Sequence, residues 1–150
     1  QINSDYIGCI DDTCLATGEL LPVKDTPFDF NKRKRIGQDL EADHIQLKNA
    51  FGYDHSFVLN GTENQLTLEE PVSGRRLIIS TTAPVVQVYT GNFLKDGCIG
   101  KAGRVYENRE GVALETQLMP NAINTEENPS TILRKGDKFE SNTKYVFEIM

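Results

Sequence analysis

An all-β fold is predicted by three features of this sequence: short segments whose apolar residues alternate, turn residues spaced between those segments, and little helical periodicity. Residues 111–117 show the pattern. Gly111 opens the segment and Pro120 closes it off, with Val112, Leu114 and Thr116 on one face of the implied strand and Ala113, Glu115 and Gln117 on the other. Residues 85–90 repeat it: Val85, Gln87 and Tyr89 point one way, and Val86, Val88 and Thr90 point the other.

The remaining elements follow in order. Residues 2–10 read as a strand ended by Asp11, Asp12 and Thr13, and a short apolar run over 20–23 follows the Thr17-Gly18 break. Pro27 fixes the backbone of the next segment, where Phe28 and Phe30 are placed to anchor a loop on the core. Ile36, Leu40, Ile45 and Leu47, opposite Asp39, Glu41 and Asp43, predict at most one short helix near 36–48. Strands are expected over 57–59, 66–70, 75–81 and 143–149, with a turn at 71–74 and long polar loops over 95–110 and 119–135. Asn60-Gly61-Thr62 matches a glycosylation sequon, but Asn-Gly is also a favoured tight turn, and the turn is expected.

With 150 residues the chain suffices for one domain burying about two thirds of its unfolded surface. The net charge of −6 argues against nucleic acid and anionic membrane as partners. The basic run Lys32, Arg33, Lys34, Arg35 is short and reads as a solvated turn. No apolar run is long enough for a membrane-spanning helix, and the chain opens on no signal peptide. Cys9, Cys14 and Cys98 are odd in number and form no C-x-x-C pair, which fits reduced thiols and a cytoplasmic location.

The chemistry available is narrow. His44 and His55 have no ligand-spaced neighbours, so no metal is expected, and neither G-x-S-x-G nor a phosphate-binding glycine loop occurs. Carboxylates, amides and aromatics remain, the vocabulary of a sugar site. Glu115 lies in mid-strand, two positions from an amide and beside a small Ala, as the floor of a polyol-binding groove requires. Partial desolvation there is expected to raise its pKa toward the range of a general base, although a lone strand Glu is more often simply solvent-facing. Asp54 stands at the mouth of a strand, where it can accept from adjacent hydroxyls or serve only as a turn carboxylate. His55 alternates away from it and is expected to be structural.

Three ordered runs are more specific: Gly52-Tyr53-Asp54-His55; Thr81 through Phe93, including Gln87-Val88-Tyr89-Thr90-Gly91-Asn92; and Leu114-Glu115-Thr116-Gln117 with Pro120, Ala122 and Asn124. Together with Thr17-Gly18-Glu19, Thr26-Pro27-Phe28-Asp29-Phe30 and Leu133-Arg134-Lys135-Gly136, they resemble the C-terminal half of the galactose mutarotase (aldose 1-epimerase) family across essentially the whole chain. Ala83, Val85 and Ala16 depart from the family's usual Gln, Gly and Pro, and remove no group assigned to catalysis.

The resemblance implies a β-supersandwich and an isomerase that interconverts the α and β anomers of aldohexoses such as galactose or glucose, without a cofactor. It assigns Glu115 as the general base and Asp54 and Gln87 as substrate-binding residues. The family's acid His belongs to motifs in an N-terminal half absent here, and neither His44 nor His55 aligns with it. With Gln1 in first place and no starting Met, residues 1–150 are therefore expected to be the C-terminal part of a single mutarotase domain, weakly active or inactive alone. Such a piece would pair with the missing half or form a homodimer. The alternatives are a non-catalytic carbohydrate-binding module and a glycoside hydrolase using Asp54 and Glu115.

Overall fold

In the computed structural model, residues 1–95, 99–125 and 131–150 are described; Cys98 and the middle of the 119–135 loop lie outside them. The strands are β1 (Ser4–Ile10), β2 (Ala16–Pro22), β3 (Asp54–Leu59), β4 (Leu66–Glu70), β5 (Arg75–Thr81), β6 (Val85–Tyr89), β7 (Ala113–Gln117) and β8 (Thr143–Ile149). They form a five-stranded sheet, ordered β2-β1-β3-β6-β7, and a three-stranded sheet, ordered β4-β5-β8. Every strand pairing is antiparallel.

The predicted strand over 2–10 divides between the sheets. Ile2 bridges to Leu66 and Asn3 donates its N–H to the Gln65 carbonyl (2.8 Å), whereas Ser4–Ile10 pairs with β2 and β3. The 60–62 segment is the turn expected there, with Gly61 at φ 71° and its carbonyl accepting from Gln65 Nε2 at 2.8 Å.

The core lies between the sheets. Ile7, Phe57, Val86 and Val88 of the larger sheet meet Leu66 and Ile79 of the smaller, with Phe28, Phe30 and Tyr53 between them. The expected anchoring of the 25–30 loop holds, since Phe28 and Phe30 both reach the core. Phe28 stands edge-on to Tyr53 (5.5 Å) and Phe30 edge-on to Phe57 (6.0 Å), the arrangement ring quadrupoles favour. The Tyr53 hydroxyl donates to the Pro27 carbonyl at 2.9 Å, so the core ring also ties down the loop.

Two sequence expectations need correction. The helical face over 36–48 resolves into a 3-10 turn, Ile36–Gln38, and a six-residue helix α1, Ile45–Ala50. Ile36, Leu40 and Leu47 do pack on the core, but Ile45 is exposed. A 36-40-45-47 spacing cannot keep all four side chains on one stripe, and α1 starts at its own N-cap, where His44 Nδ1 accepts from the Gln46 N–H at 3.2 Å. In the basic run, Lys34 is not solvated: its ammonium donates to the Pro27 carbonyl (2.6 Å), pairs with Asp39 (2.8 Å) and lies over the Phe30 ring.

The sandwich is open on one side. Tyr145, Phe147 and Ile149 of β8 stand opposite Ile79, Leu77 and Arg75, so they share the face that Leu77 and Ile79 turn to the core. Yet Phe147 is 78% and Ile149 77% exposed, because none of the described residues lies over them. A cavity of about 480 Å³, lined by Phe30, Leu66, Leu68, Val88 and Leu114 among others, separates the sheets near the β7 edge.

Phe57 is wholly buried in the closed part of the core. Phe57→Ala should therefore cost about 3–5 kcal/mol, read as a fall in the urea midpoint at unchanged slope.

Candidate active site

Strands β3, β6 and β7 lie side by side, and their register fixes the site. Asp54 stands opposite Tyr89, and Tyr89 opposite Ala113. In the next row Ser56 faces Gln87 and Gln87 faces Glu115; in the third, Val58 faces Val85 and Val85 faces Gln117. All nine share one side of the sheet, because residues two apart on a strand point the same way. The intervening residues Phe57, Val86, Val88 and Leu114 point into the core cluster. Val85 with Met119, Ala122 and Val58 forms a small apolar cluster of its own at one end of the polar side.

Asp54, Gln87, Tyr89, Phe93, Glu115, Gln117 and Pro120 line an open hollow of about 390 Å³. All three residues singled out from the sequence are in it. Gln87 Nε2 donates to Asp54 Oδ1 at 2.7 Å, and the Ser56 hydroxyl donates to Gln87 Oε1. Glu115 is beside Gln87 on the outer strand of the sheet. Asp54 and Glu115 are two strands and one row apart, about 12 Å between α-carbons at ordinary strand spacings, with Gln87 between them. Glu115 is exposed, however, so the partial desolvation expected of it is absent. The reason is positional: among the described residues β7 has no neighbouring strand on its outer side.

The Asp54 end of the hollow is held by side chains. The β1–β3 ladder ends at Ile7 opposite Phe57, and further along β1 the Gln46 side chain takes both backbone groups of Ile10, at 2.8 and 3.0 Å. The Asp54 N–H donates instead to His55 Nδ1 at 3.1 Å. On the other flank Asn92 donates to the carbonyls of Ala50 (2.8 Å) and Tyr53 (3.1 Å) and accepts from the Thr90 hydroxyl (2.8 Å). Gly52, at φ 143°, is required there, since a Cβ would collide with Asn92 Oδ1. The turn into β3 is thereby welded to the end of β6.

His55 is structural in its surroundings, as expected: it is completely buried on the side of β3 away from the hollow, edge-on to Phe28 at 4.7 Å. With Nδ1 accepting, Nε2 carries the proton, and it has no hydrogen-bond partner among the described residues. His44 caps α1 and does not line the hollow. Among the described residues no three His, Cys, Asp or Glu side chains converge as a metal site.

Ser56 and Phe93 were not singled out from the sequence. Parity with Asp54 on β3 was the available signal for Ser56. Phe93 is brought in by the turn after β6, where its N–H donates to the Tyr89 hydroxyl at 2.9 Å.

Residues 1–146 match the family model described as Aldose 1-epimerase. The chain belongs to the aldose 1-epimerase family. It is 37% identical over 151 aligned positions to galactose mutarotase of Sus scrofa, an alignment covering 99% of this chain and 43% of that protein. It is 33% identical over 153 positions to aldose 1-epimerase of Haemophilus influenzae, covering 99% and 44% respectively. A solved structure of a GalM/aldose epimerase homologue from C. elegans superposes with a TM-score of 0.87 at 30% identity, covering 99% of this chain and 45% of that one. The aldose 1-epimerase fold expected from the sequence is thus present, in a chain that spans less than half the length of the relatives it matches.

Burial pushes the His55 imidazole down from 6.5 to about 3. The folded chain refuses a proton that the unfolded chain accepts, so stability falls as pH drops from about 6.5 toward 3, by about 3 kcal/mol at pH 4 from this residue. His55→Asn, whose side-chain oxygen can take the Asp54 N–H, should lack that loss. Urea unfolding of both proteins at pH 7 and pH 4 checks it; equal acid losses would refute the assignment.

Proposed function

We propose that this chain carries the base and part of the sugar-binding floor of an aldose 1-epimerase acting on aldohexoses such as galactose or glucose. The observation that supports this most is the meeting of Asp54, Gln87 and Glu115 in one hollow of a family member. In this reading Asp54 and Gln87 hold sugar hydroxyls, and Glu115 takes the proton from the anomeric hydroxyl. An acid on the other side of the sugar protonates the ring oxygen, the ring opens, the C1–C2 bond rotates, and closure on the opposite face gives the other anomer. No cofactor takes part, and a cytoplasmic setting, where thiols stay reduced, belongs to the same reading.

The acid comes from outside this chain. Neither His55, buried behind the sheet, nor His44, at the start of α1, borders the hollow. An N-terminal half would supply it, and its strands would also lie along the free edge of β7 and over Tyr145, Phe147 and Ile149. In its absence a second copy would cover the same apolar face.

The exposure of Glu115 and the lack of a histidine among the described residues of the hollow favour a second reading for the chain alone, sugar binding without turnover. The glycoside hydrolase reading has less support: it needs two carboxyls flanking one bond, whereas the Gln87 side chain stands on the strand between Asp54 and Glu115 and is bonded to Asp54.

Polarimetry of pure α-D-galactose tests the proposal. The chain alone should accelerate mutarotation weakly or not at all, and a protein extended at its N-terminus to the length of its relatives should accelerate it strongly. Glu115→Gln in the extended protein should lower the rate at least about 100-fold, the scale of one general base. If the extended protein is silent, the mutarotase reading fails.

A further inference from the structure

We propose that Ser56 is a positioning residue that fixes which way the Gln87 carboxamide faces, and so which hydrogen bonds the hollow offers to a sugar. The two ends of a glutamine amide are nearly alike in shape and opposite in function, so its neighbours decide its orientation. A carboxylate can only accept. The Asp54 bond at 2.7 Å therefore requires Nε2 on that side, which turns Oε1 toward Ser56. The Ser56 hydroxyl meets that oxygen as a donor, and Gln87 is its hydrogen-bond partner among the described residues. Ser56 is 4% exposed, so water cannot readily take its place. The ground beneath is apolar: a methyl group added at Gly8 would lie 3.8 Å from Ser56 Cβ and 3.2 Å from Met119 Sδ.

With both ends pinned, Gln87 shows the hollow N–H and not C=O. A sugar hydroxyl between Gln87 and a carboxylate must accept from the amide and donate to the acid. A free hydroxyl does both, while an ether oxygen or a deoxy carbon cannot. Without Ser56 the amide keeps one anchor, its oxygen loses its donor, and Asp54 faces a group free to rotate. This consequence for the sugar rests on the mutarotase reading; the orientation of the amide does not.

Nitrogen-15 NMR of the full chain separates the two. The Gln87 side-chain NH₂ pair, identified by its loss in Gln87→Glu, should show two well-separated protons that exchange slowly with solvent. In Ser56→Ala the pair should collapse toward free-glutamine positions and exchange faster, and Ser56→Thr, which keeps the hydroxyl, should restore it. Should Ser56→Ala fail to fold, Ser56→Cys supplies the same space with a poorer donor and should shift the pair in the same direction. Galactose binding, titrated by the same spectra, should weaken about three- to tenfold in Ser56→Ala and recover in Ser56→Thr. An unchanged Gln87 pair in the folded Ser56→Ala or Ser56→Cys chain overturns the proposal. A collapsed pair together with no galactose binding by the unsubstituted chain upholds the positioning role and removes the mutarotase reading instead.

Discussion

The site depends on the register of three strands, and that register is set from behind. Phe57, Val86, Val88 and Leu114 must all face the core, and strand side chains alternate with a period of two, so their neighbours must all face the other way. A slip of one residue along β6 would drive Gln87 into the core and expose Val86 and Val88. Burying the apolar set therefore puts Ser56, Gln87 and Glu115 in one row without any direct force between them. The polar contacts, Gln87 to Asp54 and Ser56 to Gln87, refine an arrangement that hydrophobic burial has already imposed.

The mouth of the hollow shows how an irregularity is stabilised. β3 ends its pairing with β1 early, which frees the backbone around Asp54 and would orphan buried polar groups at a cost of about 1–3 kcal/mol each. Side chains take over: Gln46 satisfies Ile10, His55 Nδ1 satisfies Asp54, and Asn92 satisfies Ala50 and Tyr53. Gln46, His55 and Asn92 are all buried, and each replaces a ladder hydrogen bond or a loop contact rather than adding a surface one. The bordering Asp54 thus sits on a backbone that is irregular and still well determined.

Among the described residues the two sheets each end in a strand with exposed side chains, polar on β7 and apolar on β8. Glu115 is exposed on the outer strand β7 of the larger sheet, and Phe147 and Ile149 on the outer strand β8 of the smaller. On the proposed reading an N-terminal half would cover both. The chain spans less than half the length of its relatives, and on that reading one covering layer accounts for both exposures.

The sequence by itself determined the strands, because alternation with turn residues between is a local signal. It also pointed to Asp54, Gln87 and Glu115, through ordered motifs that resemble one family, and these three line one hollow. It placed Glu115 and Gln117 on the polar side of β7 by parity alone, and Gln87 and Tyr89 likewise on β6. What it could not give was depth or pairing. Glu115 reads the same on a central strand or an edge, and only the sheet order makes it exposed. Ser56 gained its place through a register partner 31 positions away, and the 36–48 segment divided at His44, whose side chain caps α1. Period sets which side a residue faces, whereas burial and hydrogen bonding depend on what the rest of the chain brings opposite it.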